Sequence, residues 1–152
     1  VRLVNSSASR INYQRLDSDQ INHLELQNFT VSDISLFNGI DMLSFWSCDI
    51  TESMTNILAV KKYISLTNCI VDVSGLVMPA DVTHFDIYGG LSNITGLTSD
   101  IISSWLISLA AGTVENGWFR IGNFGQTYTL TTDANAAKQT LINRNWQITI
   151  ES

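Results

Sequence analysis

Four stretches decide the fold: INHLELQNFTV (residues 21–31), IDMLSFWSCDI (40–50), KKYISLTNCIV (61–71) and VTHFDIYGGLS (82–92). Written one below another, they share the spacing apolar-x-x-apolar-x-apolar-x-x-small or Cys-x-apolar. The first copy fills it with Ile21, Leu24, Leu26, Phe29 and Val31, and the second with Ile40, Leu43, Phe45, Cys48 and Ile50. The third has Lys61 in the first slot and continues with Ile64, Leu66, Cys69 and Val71, and the fourth runs Val82, Phe85, Ile87, Gly90 and Ser92. From Leu24 to Leu43, Ile64 and Phe85 the steps are 19, 21 and 21 residues. A period near twenty marks a stacked repeat. A five-residue strand with two inward side chains cannot bury its own apolar face, so each copy needs the next one to complete the core.

The phrase resembles the leucine-rich repeat, Leu-x-x-Leu-x-Leu-x-x-(Asn or Cys)-x-Leu, in an irregular form of the bacterial or phage sort. Both cysteines of the chain, Cys48 and Cys69, fall on the Asn-or-Cys slot, whereas Phe29 and Gly90 depart from it. The resemblance implies an α/β solenoid, a stack of short parallel strands with a turn-rich convex side. Strands are expected at about 23–27, 42–46, 63–67 and 84–88. On the same slot of adjacent copies the two cysteines would have Cα atoms about 4.8 Å apart, within reach of a disulfide, although an inward Cys there more commonly packs as a free thiol.

Around this centre the chain reads as a single domain of 152 residues, with repeats over 1–96, a helix-containing irregular repeat over 97–126 and a C-terminal cap over 127–152. Val1, Leu3, Ser6 and Ala8 fit the second half of the phrase, as in a processed product or a fragment that opens mid-repeat. Ile11, Tyr13 and Leu16, then Ile34, Leu36 and Phe37, Met54, Ile57 and Leu58, and Val73, Leu76 and Val77 are expected to line the outer, returning side. A longer step of 34 residues to Phe119 and Ile121 is filled by an amphipathic helix. Ser99 caps it, Asp100 favours its positive end, Ile102, Trp105, Leu106 and Leu109 form its apolar side, and Gly112 stops it. The cap reads as a strand (Thr127 to Leu130), a helix (Asp133 as N-cap, Ala134 to about Asn143) and a strand (Trp146 to Ile150). Ala136, Ala137 and Leu141 face the sheet, and Gln147, Thr149 and Glu151 lie opposite Trp146, Ile148 and Ile150. Such a unit suits a natural C-terminal end.

Composition narrows the function. Apolar residues make up 45% of the chain and charged ones only 14%, so the surface is built from Ser, Thr, Asn and Gln. That is the habit of extracellular, cell-surface and virion proteins. A net charge of −6 with Lys61-Lys62 as the one adjacent basic pair argues against a nucleic-acid partner, which calls for a basic stripe. No apolar run is long enough for a membrane span. His23 and His84 stand three copies apart, roughly 14 Å at the usual strand spacing, too far to share a metal ion. Glu25 and Asp86 are separated likewise, beyond the distances glycosidases use. The chain is thus read as no enzyme, with no cofactor and no metal.

The outward side chains carry the functional expectation. With Leu24, Leu26 and their equivalents inward, alternation sends the residues between them out. By column these are His23, Met42, Tyr63, His84 and Trp118; Glu25, Ser44, Ser65, Asp86 and Arg120; and Gln27, Trp46, Thr67 and Tyr88. Exposed Trp and Tyr concentrate binding energy. Trp46, Tyr63, Tyr88, His84 and Trp118, oriented by Glu25, Asp86 and Arg120, are therefore the expected ligand-binding set, for a protein or glycan partner. The alternative is a structural subunit of a virion fibre, decoration or cell-surface appendage, self-assembling through the N-terminal edge.

Overall fold

The computed structural model describes residues 2–4, 22–32, 40–51, 62–89, 94–122 and 124–151. After β1 (Arg2–Val4) come four five-residue strands, β2 (His23–Gln27), β4 (Met42–Trp46), β6 (Tyr63–Thr67) and β8 (His84–Tyr88). Their bounds coincide with those read from the sequence. Each is trailed by a shorter strand: β3 (Thr30–Val31), β5 (Asp49–Ile50), β7 (Ile70–Asp72) and β9 (Ile94–Thr95). Then follow α1 (Ser99–Ala111), β10 (Trp118–Ile121), α2 (Thr132–Asn143) and β11 (Gln147–Ile150).

The long strands form a seven-stranded parallel sheet in the order β1-β2-β4-β6-β8-β10-β11, and the short ones a second, four-stranded parallel sheet in the order β3-β5-β7-β9. Register aligns Leu24, Leu43, Ile64, Phe85 and Phe119 in one row and Leu26, Phe45, Leu66, Ile87 and Ile121 in the next. All ten are 0% exposed. The rows make one continuous core, closed from the other side by Val31, Ile50, Val71 and Ile94 of the second sheet.

The second sheet arises at a corner that recurs after each of the four five-residue strands. Asn28, Ser47, Asn68 and Gly89 adopt positive φ values of 63°, 52°, 52° and 146°. Asn and Gly tolerate that region best, and Ser47 is the exception. The corner N–H groups of Asn28, Ser47 and Asn68 donate to the carbonyls of Trp46, Thr67 and Tyr88 at 2.8–2.9 Å, so the ladder continues through the turn. Cys48 and Cys69 follow the corner as free, buried thiols. Cys48 Sγ donates to Leu26 O (3.4 Å) and Cys69 Sγ to Phe45 O (3.3 Å), each reaching back one copy. A hydrogen bond to Cys48, with burial, pushes the Cys69 thiol above its ordinary value.

Several expectations are corrected. In the fourth copy Val71 pairs with Ile94, so Ile94 takes the apolar position that the phrase assigned to Ser92. On the returning side Val73 and Leu76 are buried, but Val77 is 61% exposed and Met78 is buried in its place. The cause is α1, whose Trp105 Nε1 donates to Leu76 O (2.8 Å) and whose Ser108 hydroxyl donates to Met78 O (2.6 Å), fixing an extended run that points residue 77 outward. Thr98, not Ser99, caps α1, its hydroxyl accepting from Ile101 N. The expected inward row Ile102, Trp105, Leu106 and Leu109 is buried, and the helix ends at Gly112, where any Cβ would collide with the Ala80 carbonyl.

Residues 127–130 form no strand. The segment runs along α1 instead, with Thr129 N donating to Ser99 Oγ (2.9 Å) and, just beyond it, Thr131 N to Ser103 Oγ (3.2 Å). The N-cap of α2 is Thr131 rather than Asp133, which sits in the first turn. Ala134, Ala137 and Leu141 are the buried residues of α2, and Ala136 faces solvent. The helix packs along α1 more than on the sheet. Trp146 is buried over Gly117, with Nε1 donating to Val114 O (2.9 Å), while Ile148 and Ile150 are half-buried on β11. The expectations on Val1, Ser6, Ala8, Ile11, Tyr13, Leu16, Ile21, Ile34, Leu36, Phe37, Met54, Ile57, Leu58, Lys61, Gly90 and Ser92 fall outside the described residues. Among the described residues no helix is long and apolar enough to cross a membrane.

Candidate binding site

The same register that stacks the core lines up the outward side chains. The first column is His23, Met42, Tyr63, His84, Trp118 and Gln147. The middle column is Arg2, Glu25, Ser44, Ser65, Asp86, Arg120 and Thr149. The third holds Gln27, Trp46, Thr67 and Tyr88. Large side chains stand in the outer columns and small ones in the centre of the middle column, so the surface is cut into a groove. The groove has a volume of about 520 Å³ and is lined by His23, Glu25, Ser44, Trp46, Tyr63, Ser65, Thr67, Asn68, Asp86, Tyr88 and Arg120. That volume lies within the range of small-ligand sites.

One wall is a run of stacked rings. Tyr63 and His84 lie 4.1 Å apart between centroids at 14°, His84 and Trp118 5.9 Å apart at 8°, and His23 reaches Tyr63 at 6.2 Å. Burial holds the His84 imidazole below its ordinary pKa, the charge of Asp86 partly opposes this, and Arg120 adds to it. The opposite wall is Trp46 and Tyr88, each 45% exposed, with Thr67 between them. The Tyr88 ring carries the Arg120 guanidinium at 5.0 Å and lies close over Gly122, where a Cβ would meet its Cδ2. Among the described residues no ring or cation contact engages the Trp46 indole.

The floor is polar and nearly closed to solvent, with Ser44, Ser65 and Asp86 only 6%, 4% and 6% exposed. A buried carboxylate is costly unless paired. Arg120 supplies the pair in a two-pronged geometry, Nε to Oδ1 at 2.7 Å and Nη2 to Oδ2 at 2.9 Å, and Ser65 Oγ donates to Oδ2 at 3.5 Å. At the other end Arg2 Nε meets Glu25 at 3.1 Å and Arg2 Nη2 donates to Gln27 Oε1 at 2.9 Å. Along the middle column the order is cation, anion, serine, serine, anion, cation. The Ser44 hydroxyl has no hydrogen-bond partner among the described residues.

Of the residues singled out from the sequence, Trp46, Tyr63, Tyr88, Glu25, Asp86 and Arg120 line the groove. His84 and Trp118 do not; they continue the ring stack behind Tyr63. The reading by columns missed the groove itself and its serine floor. The signal was present, because small residues at 44 and 65 sit between columns of Met42, Tyr63, Trp46 and Thr67, and a surface dips where its middle row is short. Glu25 and Asp86 lie three strand steps apart, roughly 14 Å, each with its own arginine. No protein-family model, no curated protein and no solved structure matches the chain.

Proposed function

We propose that the chain is a leucine-rich-repeat-like solenoid acting as a non-enzymatic recognition module, in an extracellular, cell-surface or virion setting, with a protein or glycan partner held in the groove. The observation that carries this reading is the pairing of a nearly buried polar floor, Ser44, Ser65 and Asp86, with two half-exposed aromatics, Trp46 and Tyr88, on its rim. Core stacking demands neither. The cysteine slot and the period near twenty residues support the solenoid, since each thiol bonds a carbonyl of the preceding copy. The separation of the two carboxylates speaks against glycoside hydrolysis, whose paired acids stand no more than about 9.5 Å apart. The test is to probe the intact chain and the double variant Trp46→Ala/Tyr88→Ala in parallel on a glycan array and a displayed peptide library. Ligands bound by the parent and lost by the variant, with melting little changed, are expected. No ligand of either class, or binding indifferent to both substitutions, would reject the reading.

A second reading, a structural subunit of a fibre, decoration or appendage, draws on β1. It pairs with β2 alone among the described residues, and such an edge can take a further strand from another copy. Light scattering separates the two, because assembly through that edge gives concentration-dependent oligomers and a lone recognition module stays monomeric.

A further inference from the structure

Resting on the recognition reading, we infer that the groove takes an uncharged, hydroxyl-rich saccharide chain, laid across the strands with one sugar ring against Trp46 and another against Tyr88. Charge comes first. Each groove-lining carboxylate already has its own guanidinium, Glu25 with Arg2 and Asp86 with Arg120, so among the described residues neither carboxylate is left unpaired for a small cation, nor either guanidinium for a small anion. A neutral ligand loses nothing by this, because carboxylate oxygens keep lone pairs that accept from sugar hydroxyls after an arginine has bound them.

The floor then selects for hydroxyls. Ser44 is more than nine-tenths buried and lines the groove, and its hydroxyl has no partner among the described residues. An unsatisfied buried hydroxyl carries a desolvation penalty, and a ligand that can both donate and accept would relieve it. Ser65, at 3.5 Å from Asp86, makes a long bond that a nearer acceptor would replace. Peptide side chains prefer apolar pockets at the centre of an interface, where charged residues are depleted. This floor has serine and aspartate there instead.

The rim sets the length. Trp46 and Tyr88 occupy one column two strand steps apart, about 9.6 Å, with the smaller Thr67 between them. Large, small, large along an extended chain suits contact with every second ring of a linear saccharide, the apolar face of each ring lying on an aromatic face.

The test is titration of the isotope-labelled intact chain with neutral linear oligosaccharides of one to six units, from glucan, mannan, xylan and chitin, followed by NMR. Shifts are expected at the Trp46 indole N–H and the Ser44 and Ser65 amides. Affinity should rise at least about tenfold from one unit to three and stay constant with added salt. Trp46→Ala should abolish binding, and Ser44→Val should weaken it while the fold is retained. Absence of these shifts with every neutral saccharide, or binding confined to charged glycans with strong salt dependence, would overturn the inference. Peptides selected from the displayed library that need Trp46 and Tyr88 would, in the first case, leave the recognition reading standing while the saccharide falls. An empty result from both probes removes both.

Discussion

On the inner face of the seven-stranded sheet, Leu24, Leu43, Ile64, Phe85 and Phe119 form a row that is apolar throughout and fully buried; on the outer face of the same strands, the row Glu25, Ser44, Ser65, Asp86 and Arg120 is polar throughout and, at its centre, nearly as buried. The inner row needs no explanation beyond stacking, because each fully buried side chain of this kind contributes about 1.5–3 kcal/mol and every layer must offer the next the same surface. The outer row gains nothing of the sort. It buries a carboxylate that requires an arginine and a hydroxyl that has no partner among the described residues, behind walls of rings that water could have covered. One face is shaped by stability and the other carries a cost that stability does not return, which is why the functional reading rests on the second.

The sharpest way to break that contrast uses sequence neighbours on opposite faces. Phe45→Ala opens a cavity in the core and should lower stability by about 3–5 kcal/mol, while Trp46→Ala, one residue on, should change it by less than about 1 kcal/mol. Denaturant unfolding of the two variants measures both, and comparable losses would erase the distinction between the faces. Next in size is Asp86→Ala, which strips the Arg120 guanidinium of its bidentate partner; about 1–3 kcal/mol is expected, with Asp86→Asn recovering part of it in the same assay.

A smaller effect comes from the ring wall. The folded-state pKa of His84 lies below its ordinary 6.5, so the unfolded chain binds a proton more readily than the folded one between those two values. The contribution of His84 to stability is therefore complete above about pH 6.5, declines as pH falls below it, and levels off once the folded pKa is passed. Melting temperature followed from pH 8 to pH 4.5 should show this fall in the parent and less of it in His84→Gln; identical profiles would place the imidazole in free solvent. Smallest is Ser44→Ala, expected to be neutral or to stabilise by up to about 1 kcal/mol, since it removes a hydroxyl that has no partner among the described residues. A clear loss of stability would reveal a hydrogen bond at that site.

Much of this was legible in the chain because parallel stacking repeats one short pattern. The apolar spacing placed four strands residue for residue, and alternation assigned both faces of each. The second sheet was not read, since its strands are two or three residues long and depend on a left-handed corner whose marker, Asn28, Asn68 and Gly89, is interrupted by Ser47. Helix starts were misplaced by one or two residues, because Thr98 and Ser99, or Thr131 and Asp133, are equally able acceptors and only the path of residues 127–131 across α1 decides between them. The same path removed the strand expected at Thr127–Leu130 and turned Ala136 outward. Val77 was misassigned for a similar reason, its direction being set by α1 thirty residues later. The groove escaped notice because its depth depends on relative side-chain size across three columns, a property of neighbours in space.

Everything said of the outer face depends on which side of the strands the aromatics occupy, and hydroxyl-radical footprinting of the free protein, read residue by residue by mass spectrometry, tests that most directly. Trp46 and Tyr88 should oxidise rapidly in the native state while Phe45, Phe85 and Trp105 stay protected until the chain unfolds. Protection of Trp46 and Tyr88 together with ready oxidation of Phe45 and Phe85 would invert the sheet and contradict the account.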